Sequence, residues 1–256
     1  MSVLLQLDNV TIRFGGLTAV SEVSATVNEH ELVGLIGPNG AGKTTVFNMV
    51  TGVYQPTSGG IAFAGKPTAS LKPFELTERG IARTFQNIRL FPSLTVFDNV
   101  RVAFHLHLEH DALHSLSRGP KFHREEIALR ERTRELLSIF NLERVQNEPA
   151  KSLPYGDQRR LEIIRALATQ PKLLLLDEPA AGMNPAEKIE LMKLIQFIQE
   201  KFRLAILLVE HDMKVVMGIC QRIHVLEYGR KIAEGTPAEI RANPAVIAAY
   251  LGQEHA

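Results

Sequence analysis

Apolar and polar residues alternate over residues 3–12 (VLLQLDNVTI) and again over 18–27 (TAVSEVSATV), with Gly15 and Gly16 between them, which predicts a β-hairpin. Three short apolar runs carry a different signal: 31–36 (ELVGLI), 172–176 (KLLLL) and 204–209 (LAILLV). Unbroken runs of this length are expected of strands buried on both faces of a parallel sheet. Residues 60–64 and 222–234, the latter turning at Tyr228-Gly229-Arg230, add β structure for which antiparallel pairing is the economical expectation. Between Arg83 and Phe91 no period is evident. From Thr95 the pattern turns helical, with Val96, Asn99, Val100 and Ala103 along one side, and further helices are expected over 125–141 and 159–169. Asn184-Pro185-Ala186-Glu187 has the form of an N-cap, an N1 proline and an N3 glutamate, opening a helix through Glu200. Thr236-Pro237-Ala238-Glu239 repeats it, and Asn243-Pro244 opens a last helix to Gly252. Strands alternating with helices predict an α/β fold with a mainly parallel core sheet, an antiparallel β subdomain and an inserted helical subdomain over about 92–168.

Composition narrows the partners. The chain has 256 residues, 45% of them hydrophobic, enough for a packed core, and its net charge of +1 supplies no field for tracking nucleic acid. No apolar run approaches a membrane span and the N-terminus lacks a basic leader, so a cytosolic chain is expected. Cys220 is the single cysteine, in an apolar helical context that reads as core.

The chemistry centres on Gly37-Pro38-Asn39-Gly40-Ala41-Gly42-Lys43-Thr44-Thr45, a match to G-x-x-x-x-G-K-[ST] placed after a predicted strand and opening a predicted helix. Glycines let successive N–H groups turn inward on an anion, and the helix adds its positive end. Lys43 is expected to reach the β- and γ-phosphates of ATP, and the Thr44 hydroxyl to join a Mg²⁺ shell. Other segments end in functional residues: Gln86, Asp177-Glu178 and Glu210-His211. An acid closing an apolar strand suits a Mg²⁺ holder, Asp177, and leaves Glu178 to polarise a water. His211 suits a γ-phosphate contact or a structural histidine.

These parts, in this order, resemble an ATP-binding cassette (ABC) ATPase over nearly the whole chain. The resemblance implies a P-loop NTPase fold of the ABC type, with the cassette at 1–235 and a helical tail at 236–256. It makes Phe14 the aromatic that stacks on adenine and Gln86 a Mg²⁺ and water contact coupled to a membrane partner. Leu153–Arg160 (LPYGDQRR) becomes the signature, with Tyr155, Gly156, Asp157 and Gln158 at the nucleotide, and Ala181–Asn184 the D-loop; Glu178 becomes the general base and His211 the γ-phosphate linchpin. Three positions depart from the family pattern. Pro154 and Tyr155 stand where a serine and a glycine are usual, and Asn184 stands where an aspartate is usual.

Ile81–Phe91 (IARTFQNIRLF), Tyr155–Ile163 (YGDQRRLEI) and the tail Gly235–Gly252 are similar to the larger ATPase of branched-chain amino-acid importers, the LivG type. That resemblance implies a dimer of ATPase subunits on the cytoplasmic face of the inner membrane, a separate permease and, indirectly, a periplasmic solute-binding protein. Lipopolysaccharide-export and urea or amide-import ATPases share much of the pattern, and a soluble ABC ATPase is the rival class. The histidines at 105, 107, 110, 114 and 123 raise a metal reading that no neighbouring cysteine or carboxylate cluster completes.

Overall fold

The computed structural model describes residues 2–104, 106 and 120–251. They form two compact units, Met1–Gln86 with Lys172–Ala256, and Asn87–Pro171.

In the first unit the alternating segments become strands β1 (Val3–Phe14) and β2 (Leu17–Asn28), joined with β4 (Ser58–Phe63) and β5 (Lys66–Pro67) in an antiparallel sheet of order β2-β1-β4-β5. The apolar runs become β3 (Leu32–Ile36), β7 (Leu173–Asp177) and β8 (Ala205–Val209), and every residue of all three is buried. With β6 (Ile81–Arg83), β9 (Arg222–Glu227) and β10 (Arg230–Gly235) they form a sheet of order β10-β9-β3-β8-β7-β6. Antiparallel pairing holds for β4 on β1 and β10 on β9. On its other edge, however, β9 runs parallel to β3, with Gly34 against Ile223. The reason is the crossover: helix α7 (Met213–Ile219) carries the chain from β8 back to start β9 in the same direction.

Helix α1 (Lys43–Val50) follows β3, α2 (Pro73–Glu78) precedes β6, and α6 (Pro185–Phe202) links β7 to β8. The side chains of Leu5, Val23, Phe47, Leu175 and Leu207 share one apolar core. At the C-terminal end, α8 (Pro237–Ala242) and α9 (Pro244–Leu251) begin at capping residues Thr236 and Asn243. Gly252, the expected end of the last helix, lies outside the described residues.

The second unit is helical, with α3 (Val96–Phe104), α4 (Pro120–Ile139) and α5 (Tyr155–Ala168). Helix α5 starts four residues before the apolar pattern suggests, because its first turn is polar and is organised by the carbonyl of Pro154, which accepts from the N–H groups of Asp157 and Gln158 at 3.0 Å each. Among the described residues no helix is long and apolar enough to cross a membrane.

Candidate nucleotide site

The phosphate loop joins β3 to α1. Gly37 has φ +151° and a Cβ there would lie 2.1 Å from the carbonyl oxygen of Leu226; at Gly42, φ +100°, a Cβ would meet the Ala19 oxygen at 2.9 Å. Side chains at either place would push the loop off the sheet. Lys43 turns back into the loop and donates to the carbonyls of Gly37 (2.7 Å) and Pro38 (2.9 Å). Burial lowers its pKa, and the charges of Glu178 and Asp177 act the other way. A cation is therefore held inside a ring of peptide groups, while Asn39, Gly40 and Thr44 stay exposed, with Thr45 half-buried and Pro38 and Ala41 buried beneath them. The first N–H groups of α1 have no acceptor within the helix, as at any helix start. The cradle and its cation match the chemistry of a polyphosphate.

The carboxyl ends of β7, β6 and β8 bring the other expected groups close by. Asp177 is the last residue of β7, and Glu178 follows with φ +45°, a left-handed conformation that costs a non-glycine residue roughly 1–3 kcal/mol and is tolerated where a side chain must be aimed. Its Oε2 accepts from Gln86 Nε2 at 2.7 Å and lies 3.7 Å from Nδ1 of His211. His211 is 59% exposed on its side chain, unlike a structural core histidine.

Two residues near these groups carry roles that the sequence pattern did not disclose. Glu210 is fully buried and accepts from the backbone N–H groups of Ala180 (2.7 Å), His211 (3.1 Å) and Asp212 (3.3 Å), tying the turn after Glu178 to the turn that presents His211. Burial raises its pKa, and those N–H groups oppose the rise. Arg83 Nη2 donates to Asp177 Oδ2 at 2.7 Å, and its Nη1 donates to Asn48 Oδ1 at 2.7 Å. Arg83 falls in the stretch without period, and only the pairing of β6 beside β7 reveals its reach.

Phe14 ends β1, is 44% exposed and meets Tyr54 edge to face, with ring centroids 5.1 Å apart and planes at 70°. The pair forms an aromatic ledge on which a purine can stack. Asn184 caps α6: its side chain accepts from Ala186 and Glu187 N–H, and Glu187 accepts from Asn184 N–H.

In the second unit, the residues expected at the signature occupy the first turn of α5. Gln158 Nε2 donates to the Leu153 carbonyl at 2.8 Å, Arg159 Nη2 donates to the Tyr155 hydroxyl at 3.0 Å, and Asp157 pairs with Arg160 at 3.6 Å. A Cβ on Gly156 would meet nothing within 4 Å, so its surface is open. The loop before α3 is knitted around buried Asn99, which exchanges bonds with the Phe91 N–H (2.9 Å) and carbonyl (3.0 Å) and also donates to the Thr95 carbonyl. Phe91, 44% exposed, lies under the Arg165 guanidinium at 4.8 Å. His105, His107, His110 and His114 lie outside the described residues and His123 is exposed; among the described residues no cluster of His, Cys, Asp or Glu is arranged for a metal.

Residues 20–181 match the ABC transporter family, and residues 230–256 match a family described as branched-chain amino acid ATP-binding cassette transporter. The chain is 47% identical to the high-affinity branched-chain amino acid transport ATP-binding protein BraF of Pseudomonas aeruginosa, over 98% of each chain. It is 48% identical to LivG of Salmonella typhimurium, a protein of the same description, again over 98% of each. Among solved structures, the ADP conformation of MJ1267, an ATP-binding cassette of an ABC transporter, superposes with a TM-score of 0.85 at 29% identity, covering 98% of this chain and 100% of that one. With a phosphate loop, an acid pair and an exposed histidine gathered on such a sheet, the chain belongs to the ATP-hydrolysing subunits of the ABC transporter family.

Proposed function

We propose that this chain powers the import of branched-chain amino acids through a separate membrane permease, working at the cytoplasmic face of the membrane. The observation that carries the catalytic part is the placement of Glu178, held by Gln86 at 2.7 Å and standing one residue beyond Asp177. The solute class is supported by the likeness to BraF and LivG and by the tail match.

In this reading the loop N–H groups and Lys43 bind the β- and γ-phosphates, and Phe14 takes the adenine. Thr44, Asp177 and Gln86 would hold Mg²⁺, which when bound offsets the phosphate charge. Glu178 takes the proton of the attacking water, and His211 holds the γ-phosphate. The first turn of α5, with Gly156 open, offers N–H groups to the nucleotide of a second ATPase subunit. The permease meets the partly exposed apolar side chains of Phe91 and Leu94.

The test is uptake of labelled leucine, isoleucine and valine in cells whose copy of this chain is deleted, then restored. Deletion abolishes uptake and restoration recovers it; full uptake in the deleted cells would overturn the solute assignment.

A further inference from the structure

Arg83 contacts five side chains. Its Nη2 reaches Asp177 Oδ2 at 2.7 Å; its Nη1 reaches Asn48 Oδ1 at 2.7 Å and Thr51 Oγ1 at 3.4 Å. The guanidinium is flanked by the rings of Phe47, at 5.5 Å, and Phe85, at 5.1 Å. Its side chain is only 9% exposed, that of Asp177 only 7%. Asn48 lies on α1 and Thr51 is its C-cap, whereas Asp177 ends β7. One planar fork therefore spans from the helix that issues from the phosphate loop to the strand that ends in the acid pair. The residue after Arg83 is tied to the same strand: Asp177 N–H donates to Thr84 Oγ1 at 3.4 Å, and Thr84 N–H donates to the Leu175 carbonyl at 2.9 Å.

We propose that Arg83 is a positioning residue for the cation site, fixing the Asp177 carboxylate relative to α1 so that Thr44 and Asp177 hold one ion together. The inference rests on the functional reading above. The geometry explains why an arginine is needed: with Oδ2 engaged by Arg83, Oδ1 is the oxygen left to face a hydrated cation, and the carboxylate cannot rotate without breaking a buried charged bond. A lysine keeps the charge but loses the planar fork, whose two separate nitrogens hold Asn48 and Asp177 in fixed directions. Groups that orient a metal-holding side chain typically change metal affinity by about 10–100-fold when removed.

Arg83→Lys in the full-length chain separates positioning from charge. The Mg²⁺ concentration that half-saturates ATP hydrolysis at saturating ATP should rise about tenfold, while binding of a fluorescent ATP analogue in EDTA changes less than twofold. Asn48→Ala, which leaves the arginine–aspartate pair and removes the shorter of the two bonds to α1 and its cap, should move the Mg²⁺ requirement the same way by about twofold to threefold, and it decides the matter if Arg83→Lys does not fold. An unchanged Mg²⁺ requirement with only a lower melting temperature would mean that Arg83 merely neutralises a buried acid, and would overturn the proposal. If the wild-type chain itself hydrolyses ATP without a divalent cation, it is the Mg²⁺ assignment that fails.

Discussion

Glu178 combines an unfavourable backbone conformation with an amide partner and a neighbouring histidine, an arrangement that aims one carboxylate. On the role proposed for Glu178, Glu178→Gln removes the base and keeps the shape, so turnover should fall by about 10²-fold or more with ATP affinity preserved. Single-turnover hydrolysis and equilibrium nucleotide binding check the two halves, and near-normal turnover would place the base elsewhere. This acid was legible from the chain because it directly follows an apolar strand. Arg83 was not, since its partners lie 35, 32 and 94 residues away and only the sheet order brings them within reach. The same holds for Asn99: read along the helix it is one position of a buried side, whereas in the fold it closes the loop that presents Phe91.

Capping shows how far local rules carry at the scale of an element. The Asn184 box was predictable because all its donors and acceptors lie within four residues. Asn184→Ala should cost about 1 kcal/mol, a fall of roughly 2–4 °C in melting temperature for a chain of this size, while Asn184→Asp, which still caps, should stay near the parent. Equal melting temperatures for the alanine and aspartate variants would remove the capping role. Helix α5 is different. Pro154 contributes only its carbonyl to the first turn, so a serine there gains a cap of about 1 kcal/mol and loses proline's restriction of the unfolded chain, about 0.4–1 kcal/mol. The terms nearly cancel, and the melting temperature of Pro154→Ser should barely move. Any change in ATP-dependent dimerisation then reports a new hydroxyl contact: about tenfold tighter association is expected in a Glu178→Gln background, from one added bond to a charged oxygen. Weaker association would show that proline's fixed turn matters more. The early start of α5 was hidden because its opening turn carries no apolar stripe.

Across the whole molecule, acid should loosen the link between the two sheets of the first unit. Buried His224, on β9, holds the Thr26 carbonyl of β2 at 3.1 Å and lies 3.4 Å from Glu234. Burial lowers its pKa below the ordinary 6.5, so the fold favours the neutral ring; that stability is complete above about pH 6.5 and is lost as pH falls towards the lowered value. Burial works to raise Glu234, but Lys231, His224 and Arg222 together bring it to about 2, so its contribution is present above 4.5 and disappears between 4.5 and 2. Melting temperature should therefore decline in two stages, and His224→Gln should flatten the first; an unchanged slope between pH 6.5 and 5 would exclude this histidine as its source. The antiparallel pairing expected of residues 222–234 holds between β9 and β10, while the parallel pairing of β9 with β3 was not legible from pattern, since strand direction depends on the crossover. One more buried side chain has a practical consequence. Cys220, at the end of α7, has its thiol pushed up to about 12 by burial and lies where a Cβ on Gly34 would be 3.1 Å from its sulfur. At neutral pH roughly one such thiol in 10⁵ is ionised, so maleimides should pass it by. A fluorophore or spin label can then be attached at a single added surface cysteine without first replacing the natural one, in otherwise unaltered protein.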